Sequence, residues 1–260
     1  MCILRGGGDL ATGVAWRLST AGFRVVVLEL AKPLTVRRTV ALSTAVADGV
    51  VEVEGMIGRR FSTFADAADA ACDEAVGVVV SPGLPADHGA LAVVDARLAK
   101  RNVDTHIGDA PVVVALGPGF EAGVDCHAVV ETNRGHRLGR VLWQGRAEAN
   151  TGVPGIVGGR GVERVLRAPV DGVTTWWVQI GDVVESGHLI GSVGGVELSA
   201  PFDGVIRGLI CEGTAVRKGL KIADVDPRVD TDCCTISDKA LAIGGGVVEA
   251  VLSADRRVSR

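Results

Sequence analysis

The chain has few aromatic residues: five Phe, four Trp and no Tyr among 260. That argues against a reader of RNA or single-stranded DNA, which stacks bases on exposed rings. An excess of positive charge is missing too. Twenty-seven Lys and Arg stand against 31 Asp and Glu, a net charge of -4, so nothing draws the chain in bulk to nucleic acid or to an anionic membrane. No run of about 18 apolar residues occurs. The amino terminus carries no basic segment followed by an apolar one, because the strand-like Cys2-Ile3-Leu4 begins at once. Neither a membrane nor a nucleic acid is expected as partner, and the expected location is the cytoplasm. The six cysteines (Cys2, Cys72, Cys126, Cys211, Cys233, Cys234) form no C-x-x-C pair. In a reducing compartment they read as free thiols, without a structural zinc site.

What is present is aliphatic. Hydrophobic residues make up 47 % of the chain, mostly Val, Ala, Leu and Ile, as in buried parallel sheets covered by helices. The 36 glycines follow no collagen-like period, which leaves the fibrous and disordered classes aside.

Residues 1–116 alternate strand-like and helix-like segments. Strands are expected at Cys2–Leu4, Phe23–Leu30, Val50–Val53, Val76–Val80 and Pro111–Leu116, and helices at Leu10–Ala21, Ala65–Ala75 and Gly89–Lys100. This alternation predicts an α/β fold with a Rossmann-like, doubly wound parallel sheet. Residues 117–160 read as an extension: a hairpin of Val124–Glu131 and Gly139–Gln144 around Asn133-Arg134-Gly135, then an irregular linker. Residues 161–228 hold an internal duplication. Ala168-Pro169-Val-Asp171-Gly172 recurs 32 residues later as Ala200-Pro201-Phe-Asp203-Gly204, Gly181 as Gly213, and Gly187 as Gly219. Short strands repeated at that length predict two interlocked halves around one core, a small all-β domain resembling the biotinyl/lipoyl barrel-sandwich hybrid. Residues 229–260 read as a helical tail.

The chemistry-bearing stretch is Arg5-Gly6-Gly7-Gly8-Asp9-Leu10-Ala11-Thr12, set between a strand and a helix. It contains G-x-G-x-x-A as Gly6, Gly8 and Ala11. The first Gly permits a tight turn, the second lets the backbone approach a pyrophosphate, and the small third residue lets helix and strand pack closely. Glu29 closes the second strand 23 positions after Gly6, where a ribose acceptor belongs. Asp9 suits a helix cap or a ligand hydroxyl, and Ser81 ends a strand at the same crevice. Arg37 and Arg38 fit a phosphate clamp or a solvated pair. In Asp125–His136 the residues His127, Asn133 and Arg134 are candidates to face a ligand. His127, Glu131 and His136 lack diagnostic metal-ligand spacing, so no metal site is expected.

Five stretches together resemble one family: RGGGDLATGVAWRL (5–18), KPLTVRRTVALSTAV (32–46), LGPGFEAGVDCHAVVETNRGHRLGRV (116–141), NTGVPG (150–155) and ISDKALAIGGGVVEAVL (236–252). They are similar to the selenium-dependent molybdenum hydroxylase system protein, the YqeB family, distantly related to xanthine dehydrogenase accessory factors. The resemblance implies a maturation role: binding and handling a molybdopterin-type cofactor before its insertion. It implies a molybdenum hydroxylase apo-enzyme or other maturation factors as partners, with a homo-oligomer left open. It carries over no catalytic residue, and whether the protein is an enzyme is left open. The competing class is an NAD(P)-dependent oxidoreductase that uses the same glycine fingerprint. A biotin or lipoyl attachment is not expected, because the hairpin between the duplicated halves, Ser192–Glu197, holds no lysine.

Overall fold

The computed structural model describes residues 1–71 and 75–258. They form two compact units: Met1–Pro33 with Ala41–Thr151 and Ile236–Arg260, and Leu34–Val40 with Gly152–Thr235.

The first unit contains β1 (Cys2–Arg5), α1 (Asp9–Thr20), β2 (Val25–Glu29), α2 (Ala45–Asp48), β3 (Val50–Val53) and β4 (Met56–Phe61). There follow α3 (Phe64–Ala70), β5 (Ala75–Val80), β6 (Ala92–Asp95), β7 (Val112–Leu116), β8 (Glu121–Ala122), β9 (Ala128–Val130), β10 (Val141–Leu142) and β11 (Gly145–Arg146). Nine strands make one mixed sheet in the order β10-β9-β7-β6-β1-β2-β5-β4-β3. From β9 through β4 every neighbour is parallel, and the two edges, β10 and β3, are antiparallel. β1 lies between β2 and β6, so the chain leaves it on one side and later returns on the other. That reversal is where open α/β sheets hold ligands.

The central strands are apolar at nearly every position because both faces are covered. Ile3, Val26, Leu28, Val79 and Val93 share a buried cluster with Ala67 and Ala71 at α3. The last helix, α4 (Asp238–Val258), packs against α1 and against β7, β9 and β10. Three departures from the sequence expectation have local causes. The segment expected as a helix at Gly89–Lys100 is strand β6, recruited by a parallel ladder that pairs Cys2 with Ala92 and Arg5 with Asp95. Its short apolar run Ala-Val-Val suits a strand buried on both faces as well as it suits a helix. The expected helix Ala65–Ala75 spans Phe64–Ala70, Ala75 already opens β5, and Cys72 to Glu74 lie outside the described residues. Strand β4 carries no strong alternation and was not expected. The hairpin and the tail are continuous with the sheet: β9 and β10 extend it, and α4 covers it.

The second unit is two four-stranded antiparallel sheets. Its strands are β12 (Val165–Arg167), β13 (Gly172–Trp176), β14 (Val183–Val184), β15 (Leu189–Val193), β16 (Val196–Ser199), β17 (Gly204–Leu209), β18 (Ala215–Val216) and β19 (Lys221–Asp226). The sheets run β12-β19-β17-β14 and β16-β15-β13-β18. β13, β14 and β15 begin 32 residues before β17, β18 and β19, β12 begins 31 before β16, and each sheet takes two strands from each repeat. The halves are therefore interlocked, and neither repeat closes a sheet alone. Ile190, Val193, Ile206 and Ile222 lie in their shared core. The turn between β15 and β16 is Gly194-Gly195, with φ of +55° and +84°, a pair of left-handed residues that glycine adopts without strain. Intact-mass measurement is expected to give the mass of the unmodified chain, and a biotinyl or lipoyl adduct would refute that.

Candidate functional site

The carboxyl end of the parallel sheet gathers the polar groups of the first unit. Gly6 leaves β1 with φ +97°. A Cβ there would meet the Arg97 backbone at 3.1 Å, so the loop passes tightly beside the end of β6. Gly8 caps α1 in extended conformation, with no side-chain cap. Among the described residues the N–H groups of Gly8 and Ala11 meet no protein acceptor, while the Asp9 carboxylate accepts from Leu10 N at 2.9 Å. Thr12 is fully buried. Its hydroxyl donates to Gly8 O at 3.0 Å and accepts from Leu42 N at 3.0 Å. Ala11 is buried where helix and strand meet.

The opposite flank of the loop is closed by the protein itself. Glu29 is buried, and both of its oxygens are engaged, Oε2 by Gly7 N at 2.8 Å and Oε1 by Leu30 N at 2.7 Å. Ser43 N donates to Gly7 O at 2.8 Å, and a Cβ on Gly7 would meet that nitrogen at 2.9 Å. Glu29 thus braces the glycine loop.

α1 and α4 run parallel. A Cβ on Gly13 would meet Ala240 at 2.6 Å, and one on Gly244 would meet Gly13 O at 2.5 Å and Arg17 Cγ at 2.8 Å. Both helices therefore direct their amino termini to the same end of the sheet, where unpaired N–H groups and the two dipoles favour an anion. Ser237 caps α4, its hydroxyl accepting from Ala240 N at 3.2 Å. Lys239 follows in the first turn, where a cation opposes the dipole. It makes no hydrogen bond or ion pair with the described residues. Burial pulls its pKa down and the Arg134 charge adds to this, against the opposing pull of Asp9, Glu131 and Asp238. Sequence reasoning missed Lys239. Its signal is a lysine directly after a Ser-Asp helix start.

The remaining expected residues divide. Glu131 is buried, and its carboxylate closes the loop after β9 by accepting from Asn133 N and Glu148 N, each at 2.7 Å. Asn133 donates to Glu148 Oε2 at 2.6 Å. Arg134 forks Asp238 with two bonds of 2.9 Å, tying this loop to the start of α4. These residues flank Lys239. Ser81 Oγ donates to Gly83 O at 2.7 Å and shapes the turn after β5. His127 lies elsewhere. It precedes β9, which runs parallel to β7, so it sits at the amino end of the sheet, four residues or about 13 Å from Glu131 at ~3.3 Å per residue. Its Nδ1 accepts from Val113 N at 2.9 Å, and burial lowers its pKa. Arg37 and Arg38 belong to the second unit. There Arg37 donates to Thr235 O at 3.4 Å and Arg38 to Leu209 O at 2.8 Å, so each holds a main-chain carbonyl. Among the described residues no group of three His, Cys, Asp or Glu is placed to hold a metal ion. The Cys126 thiol is fully buried and pushed up to about 12, by burial first and then by Asp125, which keeps it an inert thiol.

The chain is 49% identical over 255 residues, 97% of its own length, to the protein described as "Uncharacterized protein YqeB" of Escherichia coli (strain K12). It spans about half of that relative, 47% of its length. No family model and no solved structure matches the chain. No helix among the described residues is long and apolar enough to cross a membrane.

Proposed function

We propose, from this homology with YqeB, that the chain is an accessory protein of selenium-dependent molybdenum hydroxylases. In this reading it holds a pyrophosphate-bearing, molybdopterin-type cofactor for a molybdenum hydroxylase apo-enzyme or another maturation factor, in the cytoplasm. One observation carries the choice of ligand class: the glycine loop, two parallel helix amino termini and the unpaired Lys239 converge on one end of the sheet. Pyrophosphate needs such a set of N–H donors and a cation, so the residues present fit the group. Gly6, Gly7, Gly8 and Ala11 shape the backbone approach, Asp9 and Thr12 fix the start of α1, and Lys239 supplies charge. When bound, the cofactor would supply the molybdenum chemistry, and the chain's own part is to bind and orient it.

The NAD(P)-dependent oxidoreductase is the second reading, since the fingerprint suits both. Its ribose acceptor would be Glu29, whose buried carboxylate already accepts main-chain N–H bonds from Gly7 and Leu30 and offers a ribose only its remaining lone pairs. The second unit, read as a barrel-sandwich hybrid, serves as an interaction module. Native mass spectrometry of the purified protein offered NAD, NADP and molybdopterin species tests the assignment. A retained molybdopterin species is expected, and retention of NAD or NADP alone overturns it.

A further inference from the structure

We propose that Arg5 and Arg97 form a pincer for a phosphoryl group, and that the Asp104 carboxylate fills this pincer until a ligand displaces it. The inference rests on the preceding reading for its ligand class, a pyrophosphate-bearing molecule at this end of the sheet. It adds a second binding element on the β6 side of the glycine loop.

Arg5 ends β1 and is almost wholly buried. In the neighbouring strand its register partner is Asp95, which is also buried. Two carboxylates serve the two guanidiniums, in different ways. Asp95 holds Arg97 from beneath, accepting from Nε at 3.2 Å and from Nη2 at 2.5 Å, and it also takes the Thr105 hydroxyl at 2.7 Å. Asp104 lies outside, its side chain 47% exposed. A single oxygen, Oδ1, stands 2.7 Å from Arg5 Nη2 and 2.7 Å from Arg97 Nη1. Its second oxygen makes no hydrogen bond with the described residues. One oxygen between two guanidinium groups is how arginines grip a phosphoryl oxygen.

Rotating Asp104 toward solvent leaves the pincer standing. Arg97 keeps its fork on Asp95, and Arg5 keeps the Thr105 hydroxyl at 2.9 Å. Two arginines then face one buried aspartate, and the uncompensated positive charge draws in an anion. The place is right for the ligand: the Arg97 backbone lies against Gly6, at the crevice where strand order reverses. The two arginines also hold the Asp104 carboxyl below its usual range, against the opposing effect of burial.

The test is pyrophosphate affinity, measured by calorimetry on wild type and Asp104→Ala. Removing the internal competitor is expected to tighten binding at least tenfold, and Arg97→Lys in the same background is expected to abolish the gain. Equal affinity in wild type and Asp104→Ala overturns the proposal. Should Asp104→Ala not fold, carboxyl NMR of wild type decides. The Asp104 pKa should rise toward the ordinary value when pyrophosphate saturates the protein, and an unmoved pKa overturns the proposal. Gly8→Val separates this inference from the functional reading. A gain in Asp104→Ala that survives Gly8→Val keeps the pincer and removes the glycine loop from the site. Molybdopterin retention that Gly8→Val abolishes, without any gain in Asp104→Ala, does the reverse.

Discussion

Gly8→Val is expected to abolish ligand binding while the protein stays folded, a loss of at least about 3 kcal/mol or more than a hundredfold in affinity. Gly8 has φ -68° and ψ -179°, an extended conformation that valine adopts without strain, so the backbone tolerates the change. Replacing Gly at a helix N-cap by Val costs the fold on the order of 1 kcal/mol. The ligand loses more, because a branched side chain stands between the loop's N–H groups and a pyrophosphate. Lys239→Met is the companion variant. It keeps the length of the chain and removes the charge, and it is expected to weaken binding by roughly 1.5–3 kcal/mol, the scale of a charged hydrogen bond. Calorimetric titration with the retained molybdopterin species checks both. Wild-type affinity in Gly8→Val moves the site away from the glycine loop.

Adjacent glycines of α4 are expected to respond with opposite sign. Gly244→Val should destabilise the fold by about 3 kcal/mol or more, at the upper end for overpacking, because its Cβ would stand 2.5 Å from Gly13 O, a backbone atom with no room to retreat. Gly245→Ala should stabilise by up to about 1 kcal/mol. That position is exposed, its Cβ meets nothing within 4 Å, and alanine is the better helix former. Urea unfolding of the two variants checks the pair. Equal and small effects at both positions would mean that α4 does not pack on α1 as described.

The alternation of apolar runs with helical spacers made the parallel sheet legible, since Val-rich strands buried on both faces leave a continuous signal. The exceptions were segments whose local pattern is ambiguous. Ala92–Asp95 is too short for periodicity to separate helix from strand, and its parallel partner β1 lies some 90 positions earlier in the chain. The duplication was legible because a repeat is a property of the sequence itself. The interlocking of the two halves was expected with it, but which strand of each half joins which sheet was not legible, because strand pairing joins residues far apart along the chain.

At the site, the sequence by itself determined the glycine loop, the start of α1 and the polar loop at Asn133 and Arg134, since local turn and cap chemistry dictates those residues. Only the tertiary structure decided what surrounds them. It set Glu29 as a brace of the glycine loop, set Arg37 and Arg38 on main-chain carbonyls of the second unit, and placed His127 at the other end of the sheet. It also brought Lys239 and the Arg5–Asp95–Arg97–Asp104 cluster to the carboxyl end. The physical reason is that charges act through space. A side chain's partner and field depend on which strands lie side by side, and Lys239 feels the charge of Asp9 because close-packed glycines let α1 and α4 run together.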